Sequence, residues 1–131
     1  MKRFSQRLKV RSYELDAQGH VNYAVYLNYL EYCRVLTLEQ VGLPFEAFIA
    51  KGTFIIIAEV HAKYLAPAFL GDELDVTMEA LTAGRTSMTF RQDVINVKSG
   101  KTIFTADIVA VFINKAGKPI AMDDEFRKVF D

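Results

Sequence analysis

The chain has 131 residues, 51% of them apolar and 24% charged, a globular composition long enough for one domain with its own core. Sixteen basic residues balance sixteen acidic ones and lie scattered, which argues against a nucleic-acid groove or a polybasic membrane patch. Cys33 is the only cysteine, so neither an intramolecular disulfide nor a cysteine zinc cluster can form, and the basic start has no apolar run behind it. With no stretch of 18 apolar residues either, a cytoplasmic protein without a membrane span is expected.

Residues 5–13 read as a first strand, with Leu8 and Val10 on one side and Arg7, Lys9 and Arg11 on the other. Residues 15–22 hold Asp, Gln, Gly, His and Asn and read as a loop. From 23 to 41 the spacing predicts a helix, striped by Leu27, Leu30, Leu38 and Val41, with Tyr23, Tyr26 and Val35 beside the stripe. Asn22 is its expected N-cap, and Gly42 with Pro44 its stop signal. The apolar arc is wide, so the helix is expected to be covered on most sides.

Strands follow. In 54–64, Phe54, Ile56, Ala58, Val60, Ala62 and Tyr64 share one parity, and Glu59, His61 and Lys63 the other. Leu74, Val76, Met78 and Ala80 alternate with Glu73, Asp75, Thr77 and Glu79. Residues 88–97 form a third candidate, and 97–102 signal a hairpin. Residues 103–113 are apolar on both faces except at Thr105 and Asp107, which predicts an interior strand covered by the helix on one side and by a partner on the other. Gly71-Asp72 and Gly84-Arg85 read as turns, 114–119 as an exit, and the tail as a short amphipathic segment. Strand, loop, long helix and four strands in that order predict a single α+β domain with a largely antiparallel sheet.

The residues with chemical potential cluster before the helix. Read on its own, Asp16 is a turn aspartate accepting backbone hydrogen bonds, and its spacing also lets it fold back over the helix start. Two separated histidines without clustered carboxylates make a poor metal site, the Gly-Lys-Thr at 100–102 lacks the rest of a phosphate loop, and no Gly-x-Ser-x-Gly elbow is present. Neither metal nor cofactor is expected. Cys33 reads as packing, Glu31 and Arg34 as a pair three residues apart on the helix.

The segment DAQGHVNYAVYLNYLEYCR, 16–34, resembles the signature of the 4-hydroxybenzoyl-CoA thioesterase-like family of the hotdog-fold superfamily. AKYLAPAFLGDELDV (62–76), AGRTSMTF (83–90) and AVFINKAGKP (110–119) resemble the family's later strands and turns, so the likeness spans nearly the whole chain. It implies a five-stranded sheet wrapped around a long central helix, a homodimer or dimer of dimers, and hydrolysis of an acyl thioester of coenzyme A or acyl carrier protein. It implies Asp16 as nucleophile or general base, and the helix N-terminus near Tyr23 as the group that polarises the carbonyl. Gly19, His20, Val21, Asn22, Tyr26 and Arg85 become candidate substrate contacts. A coenzyme A groove is expected near Gly84-Arg85, with Lys98 and Lys101 contributing. Glu14 stands where many members carry a second aspartate, and Tyr23 where some short-chain members carry histidine. A dehydratase or hydratase of the same fold and a non-enzymatic acyl- or aromatic-binding protein are the competing readings.

Overall fold

Alternation of apolar and polar residues over four long stretches produces a sheet with one face inward, and the one long apolar helix fills the concavity that the sheet's twist creates. The computed structural model describes residues 2–131. Its strands are β1 (Arg3–Lys9), β2 (Phe54–Tyr64), β3 (Glu73–Ala83), β4 (Ser87–Asn96) and β5 (Thr102–Ile113), and its helices α1 (Val25–Gln40), α2 (Phe45–Ala50) and α3 (Asp124–Val129). The sheet order is β1-β3-β4-β5-β2, antiparallel throughout. β3–β4 and β4–β5 are hairpin neighbours, whereas the chain crosses from one side of the sheet toward the other between β2 and β3.

Leu74, Val76 and Met78 of β3, Phe90 and Val94 of β4, and Phe104, Ile108 and Phe112 of β5 form the inward face. Tyr26, Tyr29, Leu30, Cys33 and Leu38 of α1 pack against it. Each such side chain contributes about 1.5–3 kcal/mol by leaving water. At the far end, Phe126 and Phe130 close the core against Phe90 and Phe112, with Phe126 also touching Phe48 of α2. Asp123 caps α3 by accepting the Phe126 N–H.

One buried polar side chain sits in the middle of this layer. Gln92 donates from Nε2 to the Leu30 and Thr77 carbonyls and accepts from Arg34 Nη1 at 2.8 Å. Glu31 and Arg34 therefore do not form the expected ion pair: Arg34 turns inward to the sheet, while Glu31 stays exposed. Burial pulls the Arg34 guanidinium below the ordinary arginine value, with the nearby Glu31 charge opposing that shift.

Several expectations are corrected in detail. β1 ends at Lys9, and Ser12–Glu14 form a 3-10 turn, because the Glu14 carboxylate reaches back to the Arg11 N–H (2.8 Å). Helix α1 begins at Val25 rather than 23, since Asn22 spends its side chain on the Ala24 N–H two residues on, making a turn before the helix. Leu27 and Tyr23 lie outside the buried stripe, so α1 is not covered on most sides. α2 is six residues long, too short for a periodic signal; Pro44 is both the stop after α1 and the residue that opens α2. Gly42 does end α1: with φ +81° it lets Leu43 N–H reach the Leu38 carbonyl (2.8 Å).

The largest correction concerns β2. A bulge between Ile57 and Glu59 inserts Ala58 as an extra residue. Ile55 and Ile57 then share the inward face with Val60, Ala62 and Tyr64, and Ile56 faces out with Phe54. The single parity read from 54–64 is broken at that point. β5 is interior, as expected, but the open apolar edge belongs to β2, where Ile56, Ile57, Val60 and Tyr64 are all substantially exposed.

Replacing Gln92 by Leu strands the inward guanidinium without its acceptor and two carbonyls without a donor. Unfolding free energy from urea denaturation is expected to fall by about 2–3 kcal/mol, and the double variant Gln92→Leu/Arg34→Met to recover most of that loss.

Candidate active site

The loop before α1 is a small closed hairpin. Asp16 N–H donates to the His20 carbonyl (2.9 Å), Gly19 N–H to the Asp16 carbonyl (3.1 Å), and Asn22 N–H to the Glu14 carbonyl (2.9 Å), with Leu15 bridged to Val21. Gly19 closes the turn at φ +85°, a region that a side chain would strain. The hairpin is also tied sideways to the segment after β2. Val21 N–H donates to the Ala68 carbonyl (2.9 Å), and His20 pairs with Phe69, the rings edge-on at 6.4 Å.

A carboxylate anchors this loop to the helix. Glu14 is buried and accepts from Arg11 N–H (2.8 Å), Arg11 Nε (3.0 Å), Arg11 Nη2 (2.6 Å) and Tyr29 OH of α1 (2.9 Å). Burial alone would raise the Glu14 carboxyl, but the Arg11 side chain, the backbone donor and the Tyr29 hydroxyl together hold it below the ordinary glutamate value. Burial and the facing Glu14 carboxylate push the Tyr29 phenol well above its ordinary range, so it remains a donor.

Asp16 sits partly exposed at the loop's turn. Its Oδ1 accepts the Gln18 N–H (2.8 Å), and its Oδ2 lies 3.6 Å from His20 Nδ1. One carboxylate oxygen is thus committed to the loop, and the other lies beside a half-exposed imidazole. At the helix start, Asn22 Oδ1 takes the Ala24 N–H (2.9 Å) and the Asn22 carbonyl takes the Val25 N–H (3.0 Å). The N–H just before them, that of Tyr23, has no partner among the described residues. A carboxylate and a free N–H at a helix start are what acyl transfer needs: a base or nucleophile and an oxyanion donor.

The remaining expected residues divide. His20 lies at Asp16, Asn22 shapes the donor turn, and Gly19 sits at the loop tip. Val21, 2% exposed, is locked between Leu15 and Ala68 and is a packing residue. Tyr26 is also 2% exposed and stacked on Phe104 at 4.9 Å. Arg85 lies in the β3–β4 turn, with β3 between it and the Asp16 loop, about 30 Å for eleven residues. Lys98 lies in the opposite hairpin, so one chain has no groove that gathers Arg85, Lys98 and Lys101. Burial pushes the Cys33 thiol up to about 11, unsuited to a nucleophile. Among the described residues no cluster of His, Cys, Asp and Glu fits a metal ion, and no helix is long and apolar enough to cross a membrane. Sequence reading missed the Glu14 clamp, although the Arg11–Glu14 spacing is that of a capping box, and it missed Ala68 and Phe69, whose approach to the loop no local pattern signals.

From the first turn of α1 an apolar groove of about 220 Å³ runs between α1 and β2, lined by Leu27, Leu30, Ile57, Val60 and Ile108, with Asn28, Glu31 and Arg34 as its polar members.

Residues 10–130 match the Thioesterase-like superfamily. The chain belongs to that family, and its fold is the hotdog fold. It is 31% identical over 123 residues to the long-chain acyl-CoA thioesterase FadM of Escherichia coli, covering 93% of this chain and 92% of the relative. It is 30% identical over 123 residues to a chloroplastic acyl-acyl carrier protein thioesterase of Arabidopsis thaliana, covering 94% of this chain but only 65% of that protein's length. Among solved structures, a 1,4-dihydroxy-2-naphthoyl-CoA thioesterase from Synechocystis superposes with a TM-score of 0.92 at 18% identity, covering 98% and 96% of the two chains. The probable thioesterase YbaW of Escherichia coli superposes at 0.81 with 30% identity, covering 95% and 93%.

The Glu14 clamp has a pH signature. A carboxyl held below its unfolded value adds stability above that value and loses it as pH falls through the folded one. Thermal unfolding between about pH 5 and pH 3 is therefore expected to weaken less in Glu14→Gln than in the parent, although the variant starts from lower stability at neutral pH.

Proposed function

We propose that the protein hydrolyses an acyl thioester of coenzyme A or acyl carrier protein to the free acid and the thiol. The observations that support this reading are an Asp16 carboxylate with only one oxygen bound to its loop and, at the helix start that the loop leads into, a Tyr23 N–H without a partner among the described residues. In one form of the reaction, Asp16 attacks the thioester carbonyl, the thiolate leaves, and water hydrolyses the resulting anhydride. In the other, Asp16 takes a proton from the water that attacks. In both, charge builds on the carbonyl oxygen, where the Tyr23 N–H and the helix start receive it. The relatives' names, acyl-CoA and acyl-carrier-protein thioesterases, support the substrate class. The apolar groove that starts at the first turn of α1 suits an aliphatic or aromatic acyl group, with the polar thioester held toward the helix start.

The working unit in this reading is a homodimer. β2 is an eleven-residue edge strand with exposed Ile56, Ile57, Val60 and Tyr64, next to exposed Leu27 of α1. An unpaired edge of this length and apolarity calls for a second strand. Pairing β2 with its copy would extend the sheet and roof the groove.

Asp16→Asn keeps the Gln18 N–H bond through the amide oxygen but removes basicity and nucleophilicity. Turnover is expected to fall at least about 100-fold, with KM within a few-fold and the urea midpoint nearly unchanged. A folded variant that keeps more than half of the parent's turnover removes Asp16 from the reaction. Sedimentation analysis is expected to give a dimer or larger species, and Val60→Lys to shift it toward monomer with loss of activity. A fully active monomer would overturn the dimeric reading.

A further inference from the structure

If Tyr23 N–H is the oxyanion donor, something has to fix its direction, because the turn that carries it is on the surface. Tyr23 is 71% exposed and Ala24 is exposed as well, so no packing of their side chains orients the backbone. The peptide unit that follows the donor is nevertheless held at both ends. Its N–H, that of Ala24, donates to Asn22 Oδ1 at 2.9 Å. Its carbonyl, that of Tyr23, accepts from Tyr64 OH at 2.7 Å. The first tie is local. The second comes from the last residue of β2, 41 positions away in the chain.

Tyr64 is placed to do this with little freedom of its own. Its ring meets Phe104, its strand partner, at 5.0 Å and 67°, and Tyr26 of α1 at 5.5 Å and 81°. Those contacts set the ring's direction, and the hydroxyl then has one protein acceptor, the Tyr23 carbonyl. Burial raises the phenol above the ordinary tyrosine value, so it donates throughout the neutral range. A tyrosine needed only for packing would be served by the ring; the half-exposed hydroxyl has water available and still ends on a turn carbonyl.

We propose that Tyr64 is a positioning residue that aims the Tyr23 N–H at the thioester carbonyl by pinning the adjoining peptide. The proposal rests on the reading of Tyr23 N–H as the oxyanion donor. The Tyr23 N–H lies on the preceding peptide plane, joined to the pinned one at the Tyr23 Cα, so releasing the Tyr23 carbonyl loosens a torsion next to the donor and lets the turn that carries it shift. The result is a donor that is still present but no longer preorganised. Removing such a donor outright costs about 100- to 1000-fold in turnover; loosening it costs less. A role of this kind also couples the active site to the edge strand, since Tyr64 closes the same strand that bears the exposed Ile57 and Val60.

The test uses Tyr64→Phe, which keeps both ring contacts and deletes the hydroxyl. Turnover of an acyl-CoA is expected to fall about 10-fold, on the order of the loosening just described, with KM within two-fold and the thermal midpoint within a degree or two. Combined with Asn22→Ala, the loss is expected to be smaller than the product of the two single losses, because both ties hold one peptide. A second measurement does not depend on turnover. In the Asp16→Asn background, isotope-edited infrared spectroscopy of a bound 13C-carbonyl acyl-CoA reads the polarisation directly. The carbonyl band is expected to lie below its position in water, and to move back toward it when Tyr64→Phe is added. Turnover within two-fold of the parent, or an unmoved band, overturns the positioning role. If the band of the Asp16→Asn protein shows no polarisation at all, the donor reading of Tyr23 is what fails, and the proposal falls with it.

Discussion

A carboxylate taken out of water must find its hydrogen bonds in the protein, and the way Glu14 does so sets the geometry of the loop that follows. Its oxygens are met by a guanidinium and a backbone N–H from Arg11 and by the Tyr29 hydroxyl from the second turn of α1. The first two donors bend the chain into the turn that ends β1. The third fastens that turn to the helix. Its own carbonyl meanwhile accepts the Asn22 N–H, closing the base of the Asp16 loop. Loss of any partner leaves a buried charge short of solvation, a penalty of about 1–3 kcal/mol or more, so the arrangement resists partial opening. The spacing between the Asp16 loop and the helix start is thereby made a property of the fold rather than of flexible side chains.

The same logic explains why the helix can carry a free N–H at its start. A helix N-terminus leaves several donors without partners, and most proteins cap them. Here Asn22 serves the Ala24 and Val25 N–H groups, one through its side chain and one through its carbonyl, and passes over Tyr23. Among the described residues the Tyr23 N–H is thereby left without a partner. On the proposed reaction, an uncapped donor is the cost of having one ready for the oxyanion.

Much of this was legible in the sequence. The five strands, their antiparallel hairpins, the long helix and its Gly42 stop all follow from periodicity and turn residues, because those signals are local. The loop before α1 was legible through its turn residues, and Asp16, Gly19, His20 and Asn22 fall together in it. What failed was whatever depended on distant partners. The bulge at Ala58 reverses the parity of β2, and a run of Ile55, Ile56 and Ile57, apolar at every position, carries no parity signal that could reveal it. Arg34 looked like half of a surface pair with Glu31, yet its partner Gln92 lies 58 residues on and faces inward from β4. Val21 and Tyr26, which lie within the motif, are buried in the chain, Val21 bonded through its N–H to Ala68 and Tyr26 stacked on Phe104. Arg85 was joined to Lys98 and Lys101 by chemistry alone, and the length of β4 separates them.

A thioester is already activated, which relaxes what an enzyme must supply, and the site is economical in the same sense. It contains no triad and no metal cluster among the described residues. Its candidate base is an aspartate held by a single backbone bond, and its candidate oxyanion donor is a backbone N–H, which costs no side chain and is removed only by substitution to proline. Catalytic power in such a site has to come from direction rather than from strongly shifted groups. That places the selective burden on residues that never touch the reacting atoms: Glu14 and Tyr29 for the loop, Asn22 and Tyr64 for the donor turn. It also places part of that burden at the edge of the sheet, since Tyr64 ends the strand that a second copy would pair with. On the proposed dimer, a pairing that stiffened β2 would stiffen the proposed donor as well, so that the groove beside β2 and the turn at Tyr23 would be shaped by the same event.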